Sequence, residues 1–162
     1  MTNQVSVTKG TESSKRGRLR PFFSVVVSNW NGEEWLLRCL SSIQLSARHT
    51  KKPWELIVVD DASDDGSVDL IKSRFPDARL IENPRNLGFA RSTNRGIKAA
   101  RGRIIVLCNN DLVLKEAFLP EILKPFESNK SNLFAVSART LNWYDGKPNQ
   151  RCMNAQFRGG RI

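Results

Sequence analysis

Three short stretches end apolar runs in side chains that can do chemistry. "VVVSNWN" (25–31) closes on Ser28, Asn29, Trp30 and Asn31, and "LIVVDDASDD" (56–65) closes on Asp60 and Asp61. "IIVLCNND" (104–111) passes from five apolar residues straight into Asn109, Asn110 and Asp111. A carboxylate flanked by amides at a strand end suits a hard cation such as Mg²⁺ or Mn²⁺. Mg²⁺ usually takes one or two protein carboxylates and completes its shell with phosphate oxygens and water. A diphosphate would be repelled by bare carboxylates, so a cation must bridge the two. Asp111, with Asn109 acting through water, fits that sparse demand. Asp61 has different work open to it, because a strand-end carboxylate can accept the ring N–H of uracil or thymine while Trp30 offers a flat face for stacking. The bland alternatives stand beside these: Asp111 as a cap for the next segment, and "DDASDDGS" as a solvated acidic turn in which Asp64 or Asp65 caps a helix.

Elements must bring these residues together, and the pattern supplies them. Strands are expected over 22–29, 54–62, 78–83 and 103–110, with a fifth over 133–140. They are β-branched or aromatic and short enough for a buried parallel sheet. Helical spacing follows each of the first two: Leu36, Leu40 and Ile43, then Val68, Ile71 and Phe75. Asn31 with Glu34 resembles a capping pair for the first helix. "NLGFARSTNRGIKAARG" gives a loop and a third helix, with Gly102 where a C-cap glycine belongs. Residues 116–126 form a further helix with Pro120 in its first turn, and "LNWYDGKPNQ" reads as a hairpin. Strands alternating with helices at this interval predict an α/β fold, a mostly parallel sheet flanked by helices. In such sheets ligands bind beyond the carboxyl ends of the strands, where the strand order reverses, and the three polar stretches stand there.

Charge and composition narrow the function. The 162 residues suit one domain with a real core, and the formal net charge is +10. Residues 1–20 hold five basic residues and one acidic, and residues 134–162 again hold five and one, so the body is nearly balanced. Residues 1–20 read as a disordered basic leader. Basic ends of this kind offer contact with anionic lipid headgroups, while the scarcity of aromatics in them, Phe157 apart, argues against nucleic acid. No apolar run approaches the roughly 20 residues that span a bilayer, and the polar start lacks the pattern of a signal peptide. The expected compartment is the cytoplasm, with peripheral contact at the inner face of the plasma membrane through the basic ends. Cys39, Cys108 and Cys152 have no metal or disulfide spacing, the first two reading as core, and His49 is the single histidine. Neither a G-x-G-x-x-G after the first strand nor a P-loop is present, which counts against hydride transfer and P-loop chemistry.

"SVVVSNWNGEEWLLRCLSSI", "ELIVVDDASDDGSVDLI", "NPRNLGFARSTNRGIKAARG" and "IIVLCNND" together resemble the nucleotide-binding half of family-2 glycosyltransferases of the GT-A type, nearest a bacterial rhamnosyltransferase-like branch. The likeness runs from about Ser24 to Asp111. It implies transfer of a sugar with inversion from a UDP- or dTDP-linked donor to a glycan or lipid-linked acceptor, as in cell-envelope polysaccharide synthesis. Ser28 and Trp30 would border the base, and Asp61 would bond the uracil or thymine ring. Asn109, Asn110 and Asp111 would occupy the D-x-D position, Asp111 binding the metal with Asn109 as its variant partner. Asn86, Gly88 and Asn94 would lie near the ribose and sugar, Arg85 would reach a phosphate, and Gly96 would serve helix packing. Family members carry a general base in a later half. Glu116, Glu121, Glu127 and Asp145 are the acids here after Asp111, and none has the setting of a base. The organisation expected is a leader (1–20), a GT-A domain truncated at its C-terminus (21–140), and the start of an acceptor-side region (141–162). The competing expectation is a nucleotide-sugar-binding module without turnover.

Overall fold

The computed structural model describes residues 20–127, together with 133–138, 141, 142, 144, 146 and 147. Four strands form one parallel sheet: β1 (Phe23–Asn29), β2 (Trp54–Asp60), β3 (Arg79–Glu82) and β4 (Ile104–Asn109). Their order is β3-β2-β1-β4, so the chain reverses direction across the sheet between β1 and β4. Between them run α1 (Glu33–Thr50), α2 (Ser67–Arg74) and α3 (Phe89–Ala99), followed by α4 (Phe118–Leu123) and a 3₁₀ turn (Lys124–Phe126). The register sets Asn29 opposite Asp60, Ser28 opposite Asn109, and Asp60 opposite Glu82. All the polar strand ends therefore stand in one row.

Alternation along the strands divides the core. Phe23, Val25 and Val27 of β1 point to one face, where Leu36, Leu40 and Ile43 of α1, Ile71 of α2, and Leu119 and Leu123 of α4 cover them. Val26 of β1 with Ile57 and Val59 of β2 point to the other face, under α3. Burial on both faces is why β1 and β2 read as unbroken apolar runs. β4 reads the same way in sequence but alternates in space: Val106 and Cys108 are buried, whereas Ile105 and Leu107 are exposed. Cys39 and Cys108 lie in the core as expected, and burial pushes their thiols up to about 12 and about 11.

Three local expectations are corrected. Residues 133–138 form no strand, and Phe134 is exposed; its apolar residues have no sheet neighbour to pack against, and residues 139 and 140 lie outside the described residues. Asn31 does not cap α1. It adopts a left-handed φ of 46°, and the helix begins after Gly32. Gly102 is not a C-cap, since α3 ends at Ala99 with Ala100 extended. Its backbone instead lies against β1, donating from N to Ser24 Oγ at 2.8 Å, and a Cβ there would sit 2.5 Å from Phe23 C. The expected hairpin survives in part, as Asn142 N donates to Lys147 O at 2.7 Å. The proposed boundaries at 20/21 and 140/141 remain expectations, because residues 1–19 and most of 141–162 lie outside the described residues.

Gly96 meets its expectation. It is buried in α3, and a Cβ would overlap Val26 Cγ1 and reach 3.0 Å from Val59 Cγ2. Gly96→Ala should therefore cost about 1–3 kcal/mol of unfolding free energy by overpacking. Urea unfolding measures it, and a stability equal to wild type would show that α3 does not sit this close to the sheet.

Candidate functional site

Asn29 joins the strand ends. It is 2% exposed, donates from Nδ2 to Asp60 Oδ2 at 2.9 Å and accepts at Oδ1 from Asn110 Nδ2 at 2.7 Å. Asp60 is equally buried and accepts from Ser63 N at 2.9 Å and Ser63 Oγ at 2.7 Å. The backbone continues the tie, with Asp61 N donating to Asn29 O at 2.8 Å. Asn110 thus holds the end of β4 to β1 across the reversal point, and its side chain is committed there.

Asp61 faces the other way, toward the segment between β3 and α3. Oδ1 accepts from Asn83 Nδ2 at 2.6 Å and Leu87 N at 2.8 Å, and Oδ2 accepts from Gly88 N at 2.8 Å. Burial alone would raise its pKa, but the donors Asn83, Leu87 N–H, Ser92 and Gly88 N–H outweigh burial and hold the carboxyl below its ordinary range. Four donors thus converge on a carboxylate that offers about four lone-pair positions.

Carboxylates also occupy the starts of the other two helices at this end. Asp65 Oδ2 accepts from Glu33 N, the first residue of α1, at 3.0 Å, and its Oδ1 accepts from Ser67 N, the first residue of α2, at 3.0 Å. Glu33 returns the favour by accepting from Gly66 N at 2.9 Å. Asn31 pairs with Asp64 in both directions, at 2.6 and 3.0 Å. α1 and α2 therefore each open with their first N–H given to a protein acid, and α3 with the N–H of its cap residue Gly88, the interaction a helix N-terminus would otherwise offer an anion. For Asp65 the upward push of burial is likewise outweighed by hydrogen bonds from Ser67 and Glu33 N–H, and its pKa is lowered.

Asp111 is different. It is exposed, and among the described residues its side chain has no hydrogen bond or ion pair. It lines a shallow cleft of about 330 Å³ with Trp35, Arg38, Val113 and Tyr144. Asn109 is exposed one register position from the end of β1. Trp30 is 58% exposed directly after β1, and Ser28 bonds Thr93 of α3, Oγ to Oγ1, at 2.8 Å. Arg85, Asn86 and Asn94 are exposed, Asn86 Oδ1 accepting from Gly88 N at 3.0 Å, and Gly88 takes φ 86° as the N-cap of α3. The structure thus brings Ser28, Trp30, Asp61 and the 85–94 residues to the same sheet end as Asn109, Asn110 and Asp111. It does not put Asp61 or Trp30 in the Asp111 cleft. Asn83 and Arg95 emerge as organising residues that the sequence reading passed over; Asn29 and Asp60 stood among the strand-end residues without a role, and Asp65 takes the first N–H of α2 as the acidic-turn alternative expected. Asn83 follows the last residue of β3, so the strand-end logic applied to the other three strands would have found it.

Among the described residues no group of three or more His, Cys, Asp or Glu is arranged to hold a metal. One uncommitted carboxylate, Asp111, with an exposed amide at Asn109, is a fit for a cation whose remaining ligands come from a diphosphate and water.

A parallel sheet in this order, with amides and acids gathered where the strand order reverses, is an open α/β fold whose ligand crevice lies at that end. The sequence profile described as "Glycosyl transferase family 2" matches residues 24–161, and the chain belongs to that family. TuaG of Bacillus subtilis (strain 168), a glycosyltransferase provisionally assigned to teichuronic acid biosynthesis, is 27% identical over 84% of this chain and 54% of its own length. YwdF, an uncharacterised glycosyltransferase of the same organism, is 31% identical over 65% of this chain and 38% of its own length. The chain thus spans about half, or less, of the length of the curated relatives it matches. Among solved structures, the mannosyltransferase PcManGT of Pyrobaculum calidifontis, in complex with GDP-Man and Mn²⁺, superposes with a TM-score of 0.57 at 26% identity over 65% of this chain and 32% of that one. S. aureus TarS 1–349 in complex with UDP shares the fold, with a TM-score of 0.56 at 21% identity over the same shares of the two chains. No helix among the described residues is long and apolar enough to cross a membrane.

The lowered carboxylates carry a sign for stability. Asp61 and Asp65 have folded pKa values below the unfolded value of about 3.9, so their contribution is fully present above that pH and lost as pH falls through the folded values. Asp61→Asn removes one of the two. It should lower stability at neutral pH by about 1–3 kcal/mol, because an amide N–H₂ would face donors, and should give a shallower further loss in acid. Urea unfolding at a series of pH values checks this; an unchanged acid slope would contradict it.

Proposed function

We propose that this chain is the donor-binding part of an inverting glycosyltransferase that moves a sugar from a UDP- or dTDP-linked donor to a glycan or lipid-linked acceptor hydroxyl. The observation that carries the reading is the contrast among the acids at the sheet end. Asp60, Asp61 and Asp65 are consumed by protein donors, whereas Asp111 is exposed and uncommitted. Because acids already sit on the helix starts, the diphosphate has to be met by cations. Asp111, with Asn109 beside it, would hold Mg²⁺ or Mn²⁺. Bound there, such an ion supplies the positive charge that stabilises a leaving diphosphate.

The other residues bind and orient. Trp30 offers its face to the base and Ser28 borders it, while Asp61 accepts the base N–H in exchange for one of its protein donors. Arg85 reaches toward a phosphate, and Asn86, Gly88 and Asn94 line the ribose and sugar side. Asn110 acts through Asn29, keeping the Asp111 segment seated on β1.

No described acid after Asp111 is placed as the general base. Glu116 lies 3.7 Å from His49, Glu121 pairs with Lys124 at 2.5 Å, and Glu127 with Lys52 at 3.1 Å, all on the surface; Asp145 lies outside the described residues. This favours a second reading for the chain alone, a module that binds donor without turnover. We place both readings in cell-envelope polysaccharide synthesis in the cytoplasm, with the basic ends resting on the inner membrane face and no nucleic-acid partner.

Calorimetry with UDP and Mn²⁺ tests the binding claim. Asp111→Ala should weaken Mn²⁺-dependent UDP binding at least about tenfold while unfolding stability stays within about 0.5 kcal/mol, as for an exposed side chain. Unchanged binding would remove Asp111 from the metal site. Binding without hydrolysis or transfer would select the module.

A further inference from the structure

Phe89 is the first residue of α3, 65% exposed, and belongs to neither core cluster. Local structure gives it no work. The pair that packs as a staple at a helix start is the residue before the cap and the fourth residue after it. Around the cap Gly88 these are Leu87 and Ser92. Among the described residues the Phe89 ring stacks on no other aromatic, and the same holds for Trp30, 58% exposed.

Two contacts fix where α3 lies along β1. A Cβ on Gly96 would overlap Val26 Cγ1, and Thr93 Oγ1 is 2.8 Å from Ser28 Oγ. The helix read backward from Gly96 to Thr93 therefore follows the strand read forward from Val26 to Ser28. Phe89 stands one turn further on the Thr93 face, about 6 Å along the helix. Trp30 stands two residues past Ser28, about 6–7 Å along the strand direction. Counted from the one contact between Thr93 and Ser28, the two aromatic residues reach the same level just beyond the sheet. The first turn of α3 is also held in advance. Asp61 accepts from Leu87 N and Gly88 N, each at 2.8 Å, and Asn83 Nδ2 donates to Ser92 Oγ at 2.8 Å. A ring carried on a fixed turn loses little further freedom when a ligand stacks on it.

We propose that Phe89 is a stacking partner of the donor's nucleobase, placed with Trp30 so that the base lies against both rings. Every base has a flat face, and stacking on an aromatic side chain is tolerant of which base it is. The contact therefore adds affinity rather than selectivity. The inference rests on the reading that the chain binds a nucleotide donor. It makes no demand for an open position on Asp61, whose carboxylate serves here by holding the turn that carries Phe89.

Calorimetric titration of uridine and of UDP, both with Mn²⁺, into wild type, Phe89→Ala, Phe89→Leu and Phe89→Tyr tests the proposal. Phe89→Ala should weaken both ligands by the same factor, about tenfold, within the range that base stacking on an aromatic is worth. Its urea midpoint should stay at the wild-type value, as for an exposed side chain. Phe89→Leu keeps apolar bulk without a flat face and should lose nearly as much, whereas Phe89→Tyr should bind within about twofold of wild type. Should Phe89→Ala fail to fold, the Leu and Tyr variants decide by the same contrast. Unchanged affinity in Phe89→Ala overturns the proposal, and so does a loss for UDP without one for uridine. Phe89→Leu binding as tightly as wild type also overturns it, because packing rather than stacking would then be the contact. In each of these cases wild type still binds UDP and the donor-binding reading stands. A wild type that binds neither ligand overturns that reading and this proposal with it.

Discussion

Backbone N–H groups at the starts of three helices are already bonded to aspartates, and this constraint shapes everything else at the carboxyl end of the sheet. Asp65 serves α1 and α2 together, and Asp61 serves α3. In many nucleotide-binding sheets a glycine-rich turn leaves such groups open for phosphate. Here one such donor per helix fixes the loops instead, so an acid already faces each helix start before any ligand arrives. An incoming diphosphate meets a rim of acids rather than a cradle of amides. In the proposed reading, charge neutralisation comes from a metal at Asp111 and from arginines.

Division of labour follows from how the strand ends are tied. Asn29 takes a bond from Asn110 on one side and gives bonds to Asp60 and Ser63 on the other. That single amide spans the reversal between β1 and β4. It leaves Asp61 facing the 83–88 segment and Asp111 facing the Trp35 and Arg38 cleft. The Asp61 and Asp111 sides are thus separated by a buried amide bridge, and the proposed reading gives the first to the base and the second to the charged groups. The family assignment and the GT-A fold agree with such a layout, and the chain's coverage of about half or less of its relatives places acceptor-side chemistry among the proposals.

The fold was largely legible because its signals are local and repeated. Apolar runs of strand length separated by 3.6-period segments left little alternative to a parallel α/β sheet, and the four strands fall where expected to within a residue or two. The fifth strand was misread because the apolar run at 133–136 reports only side-chain type, while a strand exists by its neighbour. Gly102 was misread for a related reason: a glycine after a helix looks like a cap, but the demand on it is steric and comes from β1, 78 residues away in sequence at Ser24. At the site, the polar strand ends were visible as types but not as partners. Nothing local distinguishes Asp61, which four donors hold, from Asp111, which none of the described residues holds. Asn83 stayed hidden because its importance lies in contacts with Asp61 and Arg95, residues 22 and 12 positions away.

The central claim is that the protein meets the diphosphate through a cation because its own helix N-termini are taken. Titrating uridine and UDP into the purified protein, each with Mn²⁺ and again with EDTA, tests it directly. Uridine lacks the diphosphate, so its affinity should be the same in both conditions, whereas UDP should lose at least about tenfold on chelation if the cation bridges to Asp111. UDP that binds as tightly in EDTA as with metal would contradict the account, because phosphate would then be held by protein donors alone.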